Sequence, residues 1–160
     1  MMKISIRTSK VKDIEIIFNF IKKLAEFEKS PKKVTTSPDL IKKKIFQDNS
    51  KIFSIIAFAN KEPVGFAVYF FNYSTWTGKK GLYIEDLYIN PEMRSNGIGS
   101  KMMKSLSKIA LNNDCARIEF NVLDWNFEAI KFYERFNAKP MKGWTIYRIE
   151  RDEIEKINSN

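Results

Sequence analysis

The chain of 160 residues contains no histidine, a single cysteine (Cys115), six glycines and five prolines. The missing histidine removes every His-based dyad, triad and zinc site, and one cysteine removes internal disulfides and Cys-rich metal clusters. No metal is therefore expected, and any acid or base must be Asp, Glu, Tyr, Lys or Cys. Long apolar runs are absent too. The longest, such as Ala67 to Phe71, fall far short of the roughly 20 residues that span a bilayer. The first residues, Met1-Met2-Lys3-Ile4-Ser5-Ile6-Arg7, lack the apolar stretch of a signal peptide. A cytoplasmic protein with no membrane segment is the expectation.

Hydrophobic residues make up 44% of the chain and aromatic residues 14%, enough to build a sizeable core. At this length roughly 68–70% of the unfolded surface disappears on folding. No repeat, linker or low-complexity segment divides the sequence, so a single domain over residues 1–160 is predicted. Lys and Arg number 28 against 19 Asp and Glu, a net charge of +9. Lys, Ile and Asn are over-represented together, a bias that AT-rich coding produces without selection for a partner. The charge is nonetheless uneven: residues 1–50 hold 12 basic and 6 acidic residues, two thirds of the excess. Basic potential there favours anionic ligands at long range and opposes cationic ones.

Lys3 to Arg7 alternates and reads as a strand. Ile14, Ile17, Phe18, Ile21 and Leu24 recur at intervals of three and four, which predicts an amphipathic helix over 11–27. A polar, basic loop follows over 28–36. Ser37-Pro38 is an N-cap with proline at the first helical position, opening a shorter helix to about Phe46. Residues 52–59 and 64–73 form a hairpin around Asn60-Lys61-Glu62-Pro63. Leu82 to Ile89 is a third strand of this group, stopped by Asn90-Pro91. Beyond Gly97, Ile98, Met102, Leu106, Ile109 and Ala110 have helical spacing. A strand over 116–123, a helix over 127–136 and a last strand over Trp144–Ile149 complete the order βααβββαβαβ. That order predicts an α/β (α+β) fold with a mixed, mostly antiparallel sheet flanked by helices.

The densest chemical signal runs from Leu82 to Ser100: strand, glycine-bearing turn, helix. Glycines at a helix start let the backbone approach a ligand closely, and the unpaired N–H groups there favour phosphate. Arg94 adds a positive charge. The pattern is neither G-x-G-x-x-G nor G-x-x-x-x-G-K-[ST], so a dinucleotide fold and a P-loop NTPase both lack their fingerprint.

Arg94-x-x-Gly97-x-Gly99 resembles the acetyl-CoA pyrophosphate loop of the GCN5-related N-acetyltransferase (GNAT) family. By average residue usage this pattern arises by chance only about 0.04 times in such a chain. The resemblance extends to Asn126-x-x-Ala129-x-x-Phe132-Tyr133 and to the element order. Within the family the chain is most similar to the diamine (spermidine/spermine) acetyltransferases and the related thialysine acetyltransferases. That likeness rests on Leu24-Ala25-x-Phe27-Glu28, Val64-Gly65-Phe66-Ala67-x-Tyr69-Phe70, Trp76-x-Gly78-Lys79, Tyr83-Ile84-Glu85-Asp86-Leu87 and Trp125-Asn126.

The resemblance implies acetyl-CoA as cosubstrate and direct attack by a small primary amine in a ternary complex. It implies that the backbone of Leu87, Tyr88 and Ile89 pairs with the pantetheine arm, where a strand bulge or splay aims an N–H at the thioester carbonyl. Arg94, Ser95, Asn96, Gly97, Ile98, Gly99 and Ser100 would hold the pyrophosphate, and Asn126, Phe127, Glu128 and Ala129 would contact CoA. Tyr133 would donate a proton to the departing thiolate. An alkyl amine with a pKa near 10.4 is protonated at neutral pH, so a proton acceptor is required. Glu85 and Asp86 are adjacent on a strand and are expected on opposite faces. The resemblance selects Glu85, acting through water, as substrate binder and base, with Asp86 as a substrate or rim carboxylate. Phe27, Glu28, Glu119, Phe120 and Asn121 match substrate-contacting positions, and Trp76 is placed to wall the pocket by cation–π contact. Cys115, with no His partner, is expected to be buried and inert.

Three features depart from a polyamine acetyltransferase. Lys29, Lys32 and Lys33 follow Glu28, an unfavourable neighbourhood for a polycation. The N-terminal half is basic, which suits an acceptor with a carboxylate, such as thialysine. Asn137 stands where the family has glycine after its tyrosine helix, and asparagine tolerates the left-handed backbone that a helix end needs. The acceptor is thus a polyamine or, alternatively, thialysine or another amino acid. A non-catalytic basic interaction protein is a further alternative, although the Lys-rich segment 29–44 lacks a nucleic-acid motif and no nucleic-acid partner is expected. The resemblance also implies a homodimer.

Overall fold

A computed structural model describes residues 2–159, so Met1 and Asn160 of the expected domain lie outside the described residues. The chain divides into two compact units, the first ending at Asn121 and the second beginning at Val122.

In the first unit the apolar runs build one five-stranded sheet in the order β1-β2-β3-β4-β5. The strands are β1 (Ile4–Thr8), β2 (Ile52–Ala59), β3 (Glu62–Ser74), β4 (Lys79–Ile89) and β5 (Cys115–Phe120). β1 to β4 are antiparallel neighbours, and β5 joins β4 in parallel through the crossover helix α3 (Ile98–Asn112). Between β1 and β2 lie α1 (Ile14–Phe27), entered through a 3-10 turn at Val11–Asp13, and α2 (Pro38–Ile45). The Ser37 hydroxyl accepts a hydrogen bond from the Leu40 amide at 3.3 Å, so the predicted cap is formed.

One face of the sheet packs on α1 and α2. Its core joins Ile17, Phe20 and Ile41 to Ile56, Phe66, Val68 and Tyr88. Phe20 stacks on Phe66 with centroids 5.4 Å apart, which centres the α1 stripe on Ile17 and Phe20, with Phe18 at its margin. On the opposite face Ile55, Ala57, Ala67 and Leu82 are buried, and α3, which packs on β1, β4 and β5, buries its own Ile98, Met102 and Leu106. Directly opposed residues of antiparallel strands share a face, so the pairs Phe66 with Tyr88 and Val68 with Asp86 belong to the α1/α2 side.

The second unit contains α4 (Phe127–Glu134) and α5 (Arg151–Ser159). The α4 end carries the predicted left-handed residue, Asn137, at φ 59°. The strand expected over Trp144–Ile149 is not formed. No strand pairs with this segment among the described residues, and Trp144, Ile146, Tyr147 and Ile149 are exposed. An extended segment becomes a stable strand only when a neighbour satisfies its backbone and covers one apolar face. No helix among the described residues is long and apolar enough to cross a membrane.

Candidate active site

The site is built around β4, whose two ends behave differently. From Lys80 to Ile84 it is flanked on both sides, by β3 and by β5. Beyond Ile84 the β5 pairing stops, while the β3 pairing continues to Ile89. The edge of β4 across Leu87, Tyr88 and Ile89 is therefore open on the β5 side. A strand edge of this kind offers alternate N–H and C=O groups to an extended ligand. The pairing with β3 also breaks between Val68 and Tyr69: Val68 faces Asp86, Tyr69 faces Ile84, and Glu85 is the extra residue of a bulge.

At the end of β4 the Asn90 amide donates to the Val64 carbonyl at 2.9 Å, and a 3-10 turn at Pro91–Met93 redirects the chain. Gly65 beside it admits no side chain, because a Cβ would lie 2.6 Å from the Tyr88 carbonyl oxygen. Ser95 (φ 63°) and Gly97 (φ 75°) are left-handed and bend the loop into the first turn of α3. The Asn96 side chain donates to the Met93 and Arg94 carbonyls and holds this shape. No side chain caps α3 at Gly97. The first amides of this 15-residue helix, at Ile98, Gly99 and Ser100, thus remain available as donors at its positive end. Gly97 faces open space, with nothing within 4 Å of where a Cβ would stand. An open strand edge leading into a left-handed loop and a free helix start fits a ligand with an extended amide-bearing arm and a pyrophosphate.

Arg94 is more engaged than its sequence position implies. Its Nε donates to the Ile89 carbonyl at 3.2 Å, and its guanidinium lies 4.7 Å over the Phe27 ring. It therefore ties the end of β4 to the end of α1. Phe27 packs at the edge of the α1/α2 core, and Glu28 closes α1.

Glu28, Glu85 and Asp86 form the acidic part of the site. Asp86 is half-buried on the α1/α2 side; burial, then the charges of Glu85 and Glu28, push its carboxyl up to about 6. Loss of water on one side raises the Glu28 carboxyl as well, although this residue reaches the surface. Glu85 is exposed. The bulge at Glu85 interrupts the period of two between Ile84 and Asp86, so these two no longer share a face.

The other expected substrate residues are more dispersed. Glu119 receives the Asn72 side-chain amide at 2.8 Å and pairs with Arg117 at 2.8 Å, so its charge is already matched. Phe120 stands opposite Ile84 in β5, and Asn121 is exposed just after it. Trp76 sits in the β3–β4 turn and is 89% exposed. Cys115 is half-buried rather than fully buried, and burial pushes its thiol up, which keeps it protonated and unreactive. Among the described residues no group of three or more His, Cys, Asp or Glu is placed to hold a metal ion.

In the second unit, the Asn126 side chain caps α4 by accepting from the Ala129 amide at 3.2 Å. Phe127 and Glu128 are exposed in the first turn. Tyr133 is 9% exposed, its ring 5.0 Å from that of Phe132, and burial pushes its hydroxyl up to about 12. The residue is thus a phenol at any physiological pH.

Residues 18–138 match the Acetyltransferase (GNAT) family. The chain is 34% identical over 168 residues to thialysine N-epsilon-acetyltransferase of Sus scrofa, an alignment covering 98% of each. It is 36% identical over 160 residues to spermidine/spermine N(1)-acetyltransferase-like protein 1 of Homo sapiens, covering 93% of this chain and 23% of that protein. In fold it is similar to AAC(6')-Iy, solved with the bisubstrate analog CoA-S-monomethyl-acetylneamine, at a TM-score of 0.77 and 17% identity over 92% of this chain and 99% of that one. With the family match spanning most of its length and a relative aligned almost end to end, the chain belongs to the GNAT family of acetyl-CoA-dependent N-acetyltransferases.

Proposed function

We propose that this acetyltransferase acts on the side-chain amine of a small amino acid of the thialysine class, as a single catalytic domain spanning residues 1–160. The observation that carries this reading is the juxtaposition of opposite charges at the end of α1. The charge of Glu28 bears on Asp86 there, and the exposed Lys32 and Lys33 follow in the next turn, Pro31–Lys33. An amino acid carrying both an ammonium and an α-carboxylate matches both charges, whereas a polyamine matches only one. Similarity to thialysine acetyltransferases along almost the whole chain supports the same acceptor class. A polyamine is the second reading, favoured by the three carboxylates alone and by the likeness to a spermidine/spermine acetyltransferase-like protein.

Acetyl-CoA supplies an activated acetyl thioester. In this reading the open edge of β4 at Leu87, Tyr88 and Ile89 holds the arm, and Ser95 to Ser100 hold the pyrophosphate through backbone amides. Arg94 braces the loop from beneath rather than serving as a lone counter-ion, because its guanidinium is already stacked and bonded. Asn126 to Ala129 contact CoA, and Glu85 and Glu28 draw in the ammonium. Tyr133 is assigned to the sulfur. A hydroxyl near 12 lies about 3.5 units above a thiol at about 8.5, so complete proton transfer is uphill by about 5 kcal/mol. Tyr133 therefore acts chiefly as a hydrogen-bond donor that stabilises the developing thiolate. A cytoplasmic homodimer completes the reading, supported by the exposed apolar segment at Trp144, Ile146, Tyr147 and Ile149.

The acceptor is tested by comparing thialysine and spermidine on the wild type and on the double variant Lys32→Glu/Lys33→Glu. One charge pair at a few ångströms near a surface is worth about 1 kcal/mol or more. The variant is expected to lose roughly tenfold in kcat/KM on thialysine and to keep or improve spermidine. Equal changes on both acceptors would overturn the amino-acid reading.

A further inference from the structure

We infer that Arg117 selects the acceptor: beside Glu119 it forms a pair of opposite charges that fits the α-ammonium and α-carboxylate of an amino acid and turns away the second ammonium of a polyamine. This rests on the amino-acid reading above and deepens it. Residues two apart on a strand, and residues directly opposite on neighbouring strands, share a face. Phe70 and Asn72 therefore lie on the same α1/α2 side of the sheet as Val68. Phe70 pairs with Tyr83 and Tyr83 with Glu119, while Asn72 pairs with Gly81 and Gly81 with Arg117, which carries that face across β4 to β5. Gly81 leaves room for the crossing, since a Cβ there would run into the Asn72 side-chain oxygen and lie 3.1 Å from the Arg117 Cγ and Nε.

The Asn72 Nδ2 and the Arg117 Nε both reach the same oxygen of Glu119, Oε2, at 2.8 Å each. The other Glu119 oxygen and the two terminal nitrogens of Arg117 are left for a ligand. With the Glu119 and Arg117 side chains 35% and 39% exposed, both are within reach of one. Asp86 stands opposite Val68, and Tyr83 opposite Phe70. The row of Glu119 is thus two β3 residues, about 7 Å, from the acidic bulge that draws in the reactive amine. A side chain of lysine length spans about 6 Å from amine to α-carbon when extended. An amino acid held by its amine at the bulge brings its α-ammonium to Glu119 and its carboxylate to Arg117, one row further along the same face. A polyamine puts a second ammonium there, where the guanidinium cancels the attraction of Glu119. Lys32 and Lys33 attract the carboxylate at range, whereas the planar fork of Arg117 binds it by contact.

The test measures kcat/KM for thialysine and for the diamine of the same length that lacks the carboxylate. It uses the wild type, Arg117→Gln and Arg117→Lys, with thermal melts and acetyl-CoA calorimetry on each. The wild type is expected to favour thialysine. Arg117→Gln should cut that preference about tenfold or more. Arg117→Lys keeps the charge without the fork and should retain part of the preference. Melting temperature and acetyl-CoA affinity should hold in both variants, because a partly exposed ion pair adds little to stability. A preference in Arg117→Gln within about twofold of the wild type's would overturn the inference and leave the amino-acid reading standing. A wild type that favours the diamine, or acetylates neither amine, would overturn the amino-acid reading instead, and the inference with it.

Discussion

Replacing Asp86 by asparagine is expected to stabilise the protein at pH 8 and to change it little at pH 4. The Asp86 carboxyl moves from an ordinary 3.8 to about 6 on folding, a rise of about two units. Each unit corresponds to about 1.36 kcal/mol, so ionising this group in the folded chain costs up to about 3 kcal/mol more than in the unfolded chain. Between about pH 4 and 6 the native state binds more protons than the unfolded state. Its stability therefore falls as pH rises through that window. The amide of the Asp86→Asn variant carries no charge at any pH and escapes the loss. Urea denaturation of both proteins at pH 4, 5, 6, 7 and 8 measures the difference directly, and other titrating groups largely cancel between them. A difference that is the same at pH 4 and pH 8, or that favours the wild type at pH 8, would refute the reasoning.

Gly97→Val forces a β-branched residue to φ 75°, in a place where a side chain meets nothing within 4 Å. The strain of about 1 to 3 kcal/mol is therefore backbone strain alone, and calorimetry should show acetyl-CoA binding weakened about tenfold or more with the core unaffected. Tyr133→Phe removes one donor to the departing thiolate and should lower kcat by about 10² to 10³ with the acceptor KM nearly unchanged; activity within twofold of the wild type would end that role. If the exposed segment 144–149 is the dimer surface, light scattering should give twice the chain mass, and Trp144→Asp with Ile146→Asp should shift the protein toward monomer.

Much of this fold is local in origin and could be read along the chain. Ser37-Pro38 forms the cap it announces, the apolar run 52–59 is β2 to the residue, and Asn137 takes the left-handed backbone. The left-handed Gly97 and the helix start behind it were equally legible, because both are set by nearby backbone. What escaped depends on partners distant in sequence. The β4 bulge arises where β3 pairs with β4, and no pattern within Ile84-Glu85-Asp86-Leu87 announces an extra residue. Glu119 reads as a free carboxylate until Asn72 and Arg117 are brought beside it. The stacking of Arg94 on Phe27 likewise depends on folding. Trp144–Ile149 carries a strand's composition, but strand formation is decided by a neighbour, and the described residues provide none.

The most direct test is thiol release from acetyl-CoA with thialysine, lysine, ornithine, spermidine and spermine as acceptors, the acetylated products being identified by mass. Turnover greatest on the amino acids, with the acetyl group on the side-chain nitrogen, is the predicted result. Turnover confined to spermidine and spermine would contradict the amino-acid reading and show that Lys32 and Lys33 do not select the acceptor. Silence on every amine, from protein that binds acetyl-CoA, would contradict small-amine acetylation altogether.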